Sequence, residues 1–281
     1  MCKYIRLSND VHLPRVGLGT FRSNGPDVAA AVTRALSNHI EHVDTASIYK
    51  NEVDIQRALA ARPDARTVVT SKLSPYEQGT EKAAEACEQI LTRLQTASID
   101  LILIHWPAAA KLPLRSPLHA QLRLQTWRVL EDFYSAGRCR AIGVSNYTQY
   151  HLEELLLVAR IKPMVNQIEV HPRYPQTQLR SFCRHNNIAV VAYSSLGMGD
   201  LVQHPVVVQI ATDCQRTTAQ VLLRWGLQQG CAVIPKSLNP VHIAEASPQE
   251  LLSWELNQQQ MKTLDDMSDG HKYCWDPTNV I

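Results

Sequence analysis

The sequence predicts an α/β protein, a (β/α)8 TIM barrel with a short N-terminal β-hairpin closing its bottom. Three observations carry that expectation. Eight short apolar runs recur along the chain, most of them followed by a helical pattern, which is the signature of parallel βαβ units. The chain has 281 residues, a length that single α/β barrels commonly reach. No Gly-x-Gly-x-x-Gly follows any of the runs, which counts against the competing architecture, a doubly wound dinucleotide-binding sheet.

The elements read in order. Residues 3–13 form a hairpin, with Asn9-Asp10 as the turn between Tyr4-Ile5-Arg6-Leu7 and Val11-His12-Leu13. Candidate strands follow at 15–18, 41–44, 67–72, 100–105, 139–144, 164–170, 188–192 and 232–235. Between them, residues 80–94 place Ala83, Cys87, Ile90 and Leu94 on one helical face. Residues 122–136 carry Trp127, Leu130 and Phe133 before Gly137 stops them. Thr217 with Gln220, and Asn257 with Gln260, have capping-box spacing ahead of apolar residues. Two long loops are expected, a proline-rich one at 107–118 and another at 196–204. No linker, repeat or low-complexity stretch divides the chain, so one domain over 1–281 is expected.

Composition narrows the function. Hydrophobic residues make up 45% of the chain, enough for a substantial core, and the formal charge of +2 gives no reason to expect nucleic acid or an anionic membrane as partner. No apolar run approaches the roughly 20 residues that cross a bilayer. Met1-Cys2-Lys3-Tyr4-Ile5-Arg6 lacks the apolar core of a signal peptide. Seven scattered cysteines without a Cys-x-x-Cys pair point to reduced thiols and a cytoplasmic setting, where the sequon Asn146-Tyr147-Thr148 is not modified. The eleven histidines show no metal-ligand spacing, so no metal is expected; His39 and His42 read as surface and packing residues.

The carboxyl ends of the strands, where barrels build their active sites, are unusually polar. Asp44 ends one run, within His42-Val43-Asp44-Thr45-Ala46-Ser47-Ile48-Tyr49; Lys72 and His105 end two others. Gly19-Thr20-Phe21, Ser145-Asn146, Gln167 with Glu169, Tyr193-Ser194 and Lys236-Ser237 stand at the remaining ends. A buried acid is costly unless paired, so Asp44 asks for a partner. Asp44 with Glu169 as the paired carboxylates of a hydrolase is the weakest of the readings these residues allow.

Six segments together resemble the aldo-keto reductase superfamily: the Asp44–Tyr49 stretch, Ser71-Lys72-Leu73, Leu103-Ile104-His105-Trp106-Pro107, Gly143-Val144-Ser145-Asn146-Tyr147, Asn166-Gln167-Ile168-Glu169-Val170-His171-Pro172 and Ile234-Pro235-Lys236-Ser237. They occur in the family's order and span almost the whole chain. The resemblance implies reversible, NADPH-dependent reduction of aldehydes and ketones, with NAD(H) as a possible second cofactor. Carbonyl reduction needs a hydride on carbon and a proton on oxygen. Tyr49 would be the acid. A phenol has an unperturbed pKa of about 10, and a nearby cation lowers it. Lys72, held by Asp44, would be that cation, and His105 would orient the carbonyl oxygen.

For the cofactor, the resemblance implies that Gly19 and Thr20 lie beside it and that Ser145, Asn146 and Gln167 hydrogen-bond the carboxamide. Tyr193 would stack on the nicotinamide, and Ser194, Leu196 and the Gly197–Gly199 loop would pass the pyrophosphate. Lys236 and Ser237 would meet the 2′-phosphate, with His242 and Glu245 near the adenosine end. Phe21, Ile48, Trp106 and Trp275 would wall the substrate pocket. His242 and Ala246 replace a frequent arginine and asparagine, which weakens the expected grip on the 2′-phosphate. Phe21 and Ser74 replace frequent tryptophans and should reshape the pocket. The partner is expected to be a small carbonyl compound and the protein a monomer. The alternative is a nicotinamide-binding regulatory or structural module with little turnover.

Overall fold

In the computed structural model, which describes residues 1–281, a two-stranded hairpin precedes eight parallel strands standing side by side in chain order. The hairpin pairs β1 (Tyr4–Arg6) with β2 (His12–Pro14). The parallel strands are β3 (Leu18–Gly19), β4 (His42–Asp44), β5 (Val68–Leu73), β6 (Ile99–Ile104), β7 (Cys139–Ser145), β8 (Val165–Glu169), β9 (Ala189–Tyr193) and β10 (Ala232–Val233). The last strand returns to the first: Gly17 N donates to Val233 O at 2.9 Å, Val233 N to Arg15 O at 2.8 Å, and Gly19 N to Pro235 O at 2.9 Å. The sheet is therefore closed, as expected for a (β/α)8 barrel.

The seam strands β3 and β10 span two residues each, shorter than the expected 15–18 and 232–235. Close approach also governs the seam. A Cβ on Gly17 would stand 2.6 Å from His42 Nδ1, and one on Gly19 would stand 2.7 Å from Ile234 O. His42 is thus a packing residue, wholly buried with Nε2 2.9 Å from Thr70 Oγ1, whereas His39 is exposed.

Helices cover the barrel with the faces the periodicity predicts. Helix Thr80–Leu94 buries Ala83, Cys87, Ile90 and Leu94, with Ala86 and Leu91 beside them. Both capping boxes form: Gln220 N donates to Thr217 Oγ1 at 3.2 Å and Gln260 N to Asn257 Oδ1 at 2.9 Å, each answered by the reciprocal bond. The hairpin turn carries Asp10 at φ 67°, and Asn9 Nδ2 donates to Arg140 O at 2.8 Å, near the start of β7. That contact fixes the hairpin under the amino ends of the strands, away from the mouth.

One helix boundary and one loop expectation are corrected. Helix Leu118–Ser135 begins at Leu118 rather than at 122. Buried His119 staples the preceding loop, accepting from Ala109 N on Nδ1 at 3.1 Å and donating from Nε2 to Pro113 O at 2.9 Å. The segment expected as a loop at 196–204 instead contains two 3-10 turns, Gly197–Gly199 and Leu201–Gln203. All seven cysteines are free, and no helix is long and apolar enough to cross a membrane.

Candidate active site

Strand register places the first pair. Asp44 stands opposite Thr70 across β4 and β5, so Lys72, two residues on, shares the face of Thr70 one step nearer the mouth. Lys72 Nζ donates to Asp44 Oδ1 at 2.5 Å and to Thr45 O at 2.8 Å, both partners being buried. Gln167 Nε2, from β8 across the barrel, donates to Asp44 Oδ2 at 2.7 Å. An ion pair out of water is tolerated only with such additional bonds, because each ion has lost its hydration. Burial pulls the Lys72 pKa down against the opposing pull of Asp44.

Tyr49 comes from a 3-10 turn, Ser47–Tyr49, not from a strand end. That turn is tied on both sides. Ser47 Oγ donates to Glu77 Oε2 at 2.5 Å, the oxygen that also accepts from Ser74 N at 2.6 Å. Ser74 is therefore the cap of the turn Pro75–Glu77 rather than part of the pocket wall; Pro75 takes that place. On the other side Asn51, which the sequence reading passed over, accepts from Thr45 Oγ1 at 2.6 Å and donates to the carbonyls of Thr20 and Ser23.

The Tyr49 ring sits 5.1 Å from the Phe21 ring and 5.7 Å from the His105 ring, with Lys72 Nζ 5.4 Å from its centroid. Burial, reinforced by the charge of Asp44, drives the Tyr49 phenol upward rather than downward. Asp44 is bound to Lys72, so the ring faces an ion pair rather than a lone cation. Burial, with Lys72 adding to it, holds His105 well below the usual histidine range and leaves its imidazole neutral at pH 7. His105 Nδ1 is buried without a partner, and the ring stacks at 6.2 Å on Trp106.

A cavity of about 650 Å³ opens above these groups. Gly19, Thr20, Phe21, Asp44, Ile48, Tyr49, His105, Trp106, Ser145, Asn146, Gln167, Tyr193, Ser194, Leu196 and Lys236 all line it. Lys72 lies behind Asp44. Other expected residues fall outside the lining. Gly197 is buried behind the strand-end segment, where a Cβ would meet Leu201 and Tyr273. Trp275 packs edge-on against Trp106 at 4.8 Å. Ser237, His242 and Glu245 continue beyond Lys236 along the chain into helix Pro240–Glu245, with His242 exposed and Ala246 buried.

The cavity has further wall residues that the sequence reading missed, Arg22, Ser195 and Cys274, while Met198 and Gly199 line it from the loop expected at the pyrophosphate. Arg22 holds a left-handed φ of 55° and sets its guanidinium 5.1 Å from the Phe21 ring centroid. Its position directly after Phe21 was the available signal.

The donors and acceptors fit a nicotinamide dinucleotide. Gln167 spends its amide nitrogen on Asp44, and its oxygen stays available to a primary amide. Asn146 is more committed: it donates to His105 O and Ser145 Oγ and accepts from the Tyr193 hydroxyl at 2.5 Å, keeping one lone pair. Ser195 Oγ is buried without a partner, and open space surrounds the point where a Cβ on Gly199 would stand, so bare backbone is offered there. Arg22 and Lys236 supply two cations suited to phosphates.

Glu169 does not pair with Asp44. Although burial works against ionisation, donors from His171, Lys272 and Tyr273 hold its carboxyl down at about 2, and both oxygens are taken. A carboxylate so engaged has no proton to give and no free oxygen to activate water, which removes the hydrolase arrangement.

Comparison with known proteins agrees with the geometry. The family described as "Aldo/keto reductase family" matches residues 15–269. Glyoxal reductase of Bacillus subtilis (strain 168) is 39% identical over 282 residues, covering 99% of this chain and 97% of that protein. The 9,11-endoperoxide prostaglandin H2 reductase of Trypanosoma cruzi is 36% identical, covering 100% of this chain and 97% of that protein. The crystal structure of MGS-M4, an aldo-keto reductase from a Medee basin deep-sea metagenome library, superposes with a TM-score of 0.89 at 35% identity, covering 99% of each chain.

Proposed function

Since this chain belongs to the aldo/keto reductase family, and is accordingly an NAD(P)H-dependent oxidoreductase acting on carbonyl compounds, we propose that its hydride source is NADPH and its proton donor Tyr49. The observation that carries the reading is the convergence of Tyr49, His105 and the Asp44–Lys72 pair at the floor of one cavity. Bound NADPH would supply the hydride. The protein does the rest. His105, neutral, donates a hydrogen bond to the carbonyl oxygen and aims it at the Tyr49 hydroxyl. Tyr49 O–H gives up its proton as negative charge develops on that oxygen. The resulting phenolate faces the Lys72 ammonium, which stabilises it as it forms.

Gln167, Asn146 and Ser145 hold the carboxamide, Tyr193 supports the nicotinamide ring, and Ser194, Leu196, Gly199 and Arg22 flank the phosphates. Lys236 with Ser237 favours NADPH over NADH, while His242 and Ala246 supply no permanent cation and keep that preference modest. Phe21, Ile48 and Trp106 form an apolar wall for the substrate. We read residues 1–281 as one barrel domain working as a monomer, in a cytoplasm whose reducing conditions suit seven free thiols.

The first test is a carbonyl panel, methylglyoxal and nitrobenzaldehyde included, assayed with each cofactor. We expect steady NADPH consumption, with kcat/KM higher for NADPH than for NADH by about tenfold, the worth of one charge-assisted phosphate contact. Stoichiometric NADPH binding without turnover on any substrate would point instead to a regulatory module.

The second test is pH dependence. The Tyr49 phenol is pushed up and stays protonated through the neutral range, and His105 is pushed down and stays neutral. Reduction uses the phenol, so its kcat/KM should be flat from about pH 6 to 9; alcohol oxidation uses the phenolate and should rise across the same interval. A reduction rate that falls with pH inside that window contradicts the assignment.

A further inference from the structure

Glu169 closes β8 two residues beyond Gln167, on the same strand face and one step nearer the mouth. Its side chain is fully enclosed, and each carboxylate oxygen accepts twice. Oε1 takes Tyr273 N at 2.6 Å and His171 Nε2 at 3.0 Å; Oε2 takes Lys272 Nζ at 2.7 Å and Cys274 N at 3.2 Å. Three of these four donors come from one stretch of the C-terminal segment, residues 272–274. A buried carboxylate is stable only while its bonds are made, so this segment must stay where Glu169 presents its oxygens.

From that anchor the segment reaches two different walls. Forward, Trp275 packs on Trp106, the aromatic neighbour of His105 at the substrate end. Sideways, the Tyr273 hydroxyl donates to the Asp200 carboxylate, and its ring lies against Gly197, where a Cβ would come within 2.9 Å of it. Cys274 Sγ lies 3.4 Å from Ser194 Oγ. Arg173 adds a parallel tie, donating to Asp269 at 2.5 Å and to Asp200 at 3.4 Å. Ser194, Met198 and Gly199 of the same stretch line the cavity on the dinucleotide side.

We propose that Glu169 is a positioning residue that docks residues 272–275 as a brace between the substrate wall and the 194–200 segment, so that the grip on bulky apolar carbonyl substrates and the grip on the dinucleotide rise and fall together. The inference rests on the reductase reading of this cavity. Glu169 reaches neither the reacting oxygen nor the hydride path, so loosening it changes affinities rather than the chemical step. A flat aromatic aldehyde needs the Trp106 wall, which Trp275 backs from behind; methylglyoxal is too small to depend on it. Coupling of two binding events through one brace is reciprocal by thermodynamic necessity.

Glu169→Gln keeps the shape and removes the charge. In this variant we expect amide exchange across 270–276 to speed up by about tenfold or more, the size of a lost set of charge-assisted bonds. The KM for 2-naphthaldehyde and the Kd for NADPH should rise together by about five- to tenfold, while kcat for methylglyoxal stays within about twofold. Tyr273→Phe, which leaves the anchor and cuts the Asp200 tie, should raise the NADPH Kd by less. If Glu169→Gln does not fold, Lys272→Met should give the same signature at smaller size. Unchanged exchange, or faster exchange with both affinities unchanged, overturns the proposal. A wild-type protein that binds NADPH but reduces no carbonyl overturns the reductase reading alone, and exchange and Kd then decide the brace.

Discussion

Tyr49→Phe lowers kcat for carbonyl reduction by about 10²- to 10⁴-fold, the usual worth of a positioned general acid, with NADPH affinity unchanged to within about twofold. The substitution removes one oxygen and leaves the ring between Phe21 and His105, so packing is preserved. Stability should hardly move, and a urea unfolding midpoint recorded beside the kinetics shows whether it does. The residual rate reports what hydride positioning and the His105 hydrogen bond achieve alone. Turnover within a factor of about three of the wild type would transfer the proton to another donor and end the assignment.

The second large effect is at Lys72. Replacing it with methionine leaves the Asp44 carboxylate buried, with Gln167 as its one remaining side-chain donor. Losing one member of such a pair costs about 3–5 kcal/mol, a fall in Tm on the order of 10 °C for a chain of this size. Activity should fall by about 10²-fold as well, because the forming phenolate loses the only ammonium beside it. Pairing Lys72→Met with Asp44→Asn separates the two consequences: the uncompensated charge is gone, so stability returns in large part, while kcat stays low. Full additivity of the two losses, read by urea unfolding and steady-state kinetics on all four proteins, would show that the pair is not a unit.

Much of the site was legible because its residues sit where local rules put them. Asp44, Lys72 and His105 each follow an apolar run, and closure of a parallel barrel sends the carboxyl ends of all such runs to one mouth. The capping boxes at Thr217 and Asn257 and the buried face of helix Thr80–Leu94 are set by residues three or four apart. Other features depend on partners far along the chain and could not be read. His119 starts its helix early because it reaches back to Ala109 and Pro113. Ser74, which looked like a change in the pocket wall, caps a turn that steadies Tyr49 through Glu77. Arg22 joins the cavity because an unusual backbone conformation turns it there.

The sequence by itself determined the fold class, the family and the identity of the four central side chains, since periodicity, capping and strand-end motifs are properties of near neighbours. Only the tertiary structure decided their electrostatic state and their support. Asp44 and Gln167 stand 123 residues apart and Glu169 and Tyr273 stand 104 apart, yet each pair is joined by a short hydrogen bond. Protonation follows burial and through-space charge, and Lys72 meets Tyr49 already bound to Asp44 rather than alone. Glu169, a candidate catalytic carboxylate by type, is occupied by the chain's own C-terminal segment. What a residue can do is written in its type; whether it is free to do it depends on which distant groups the fold places against it.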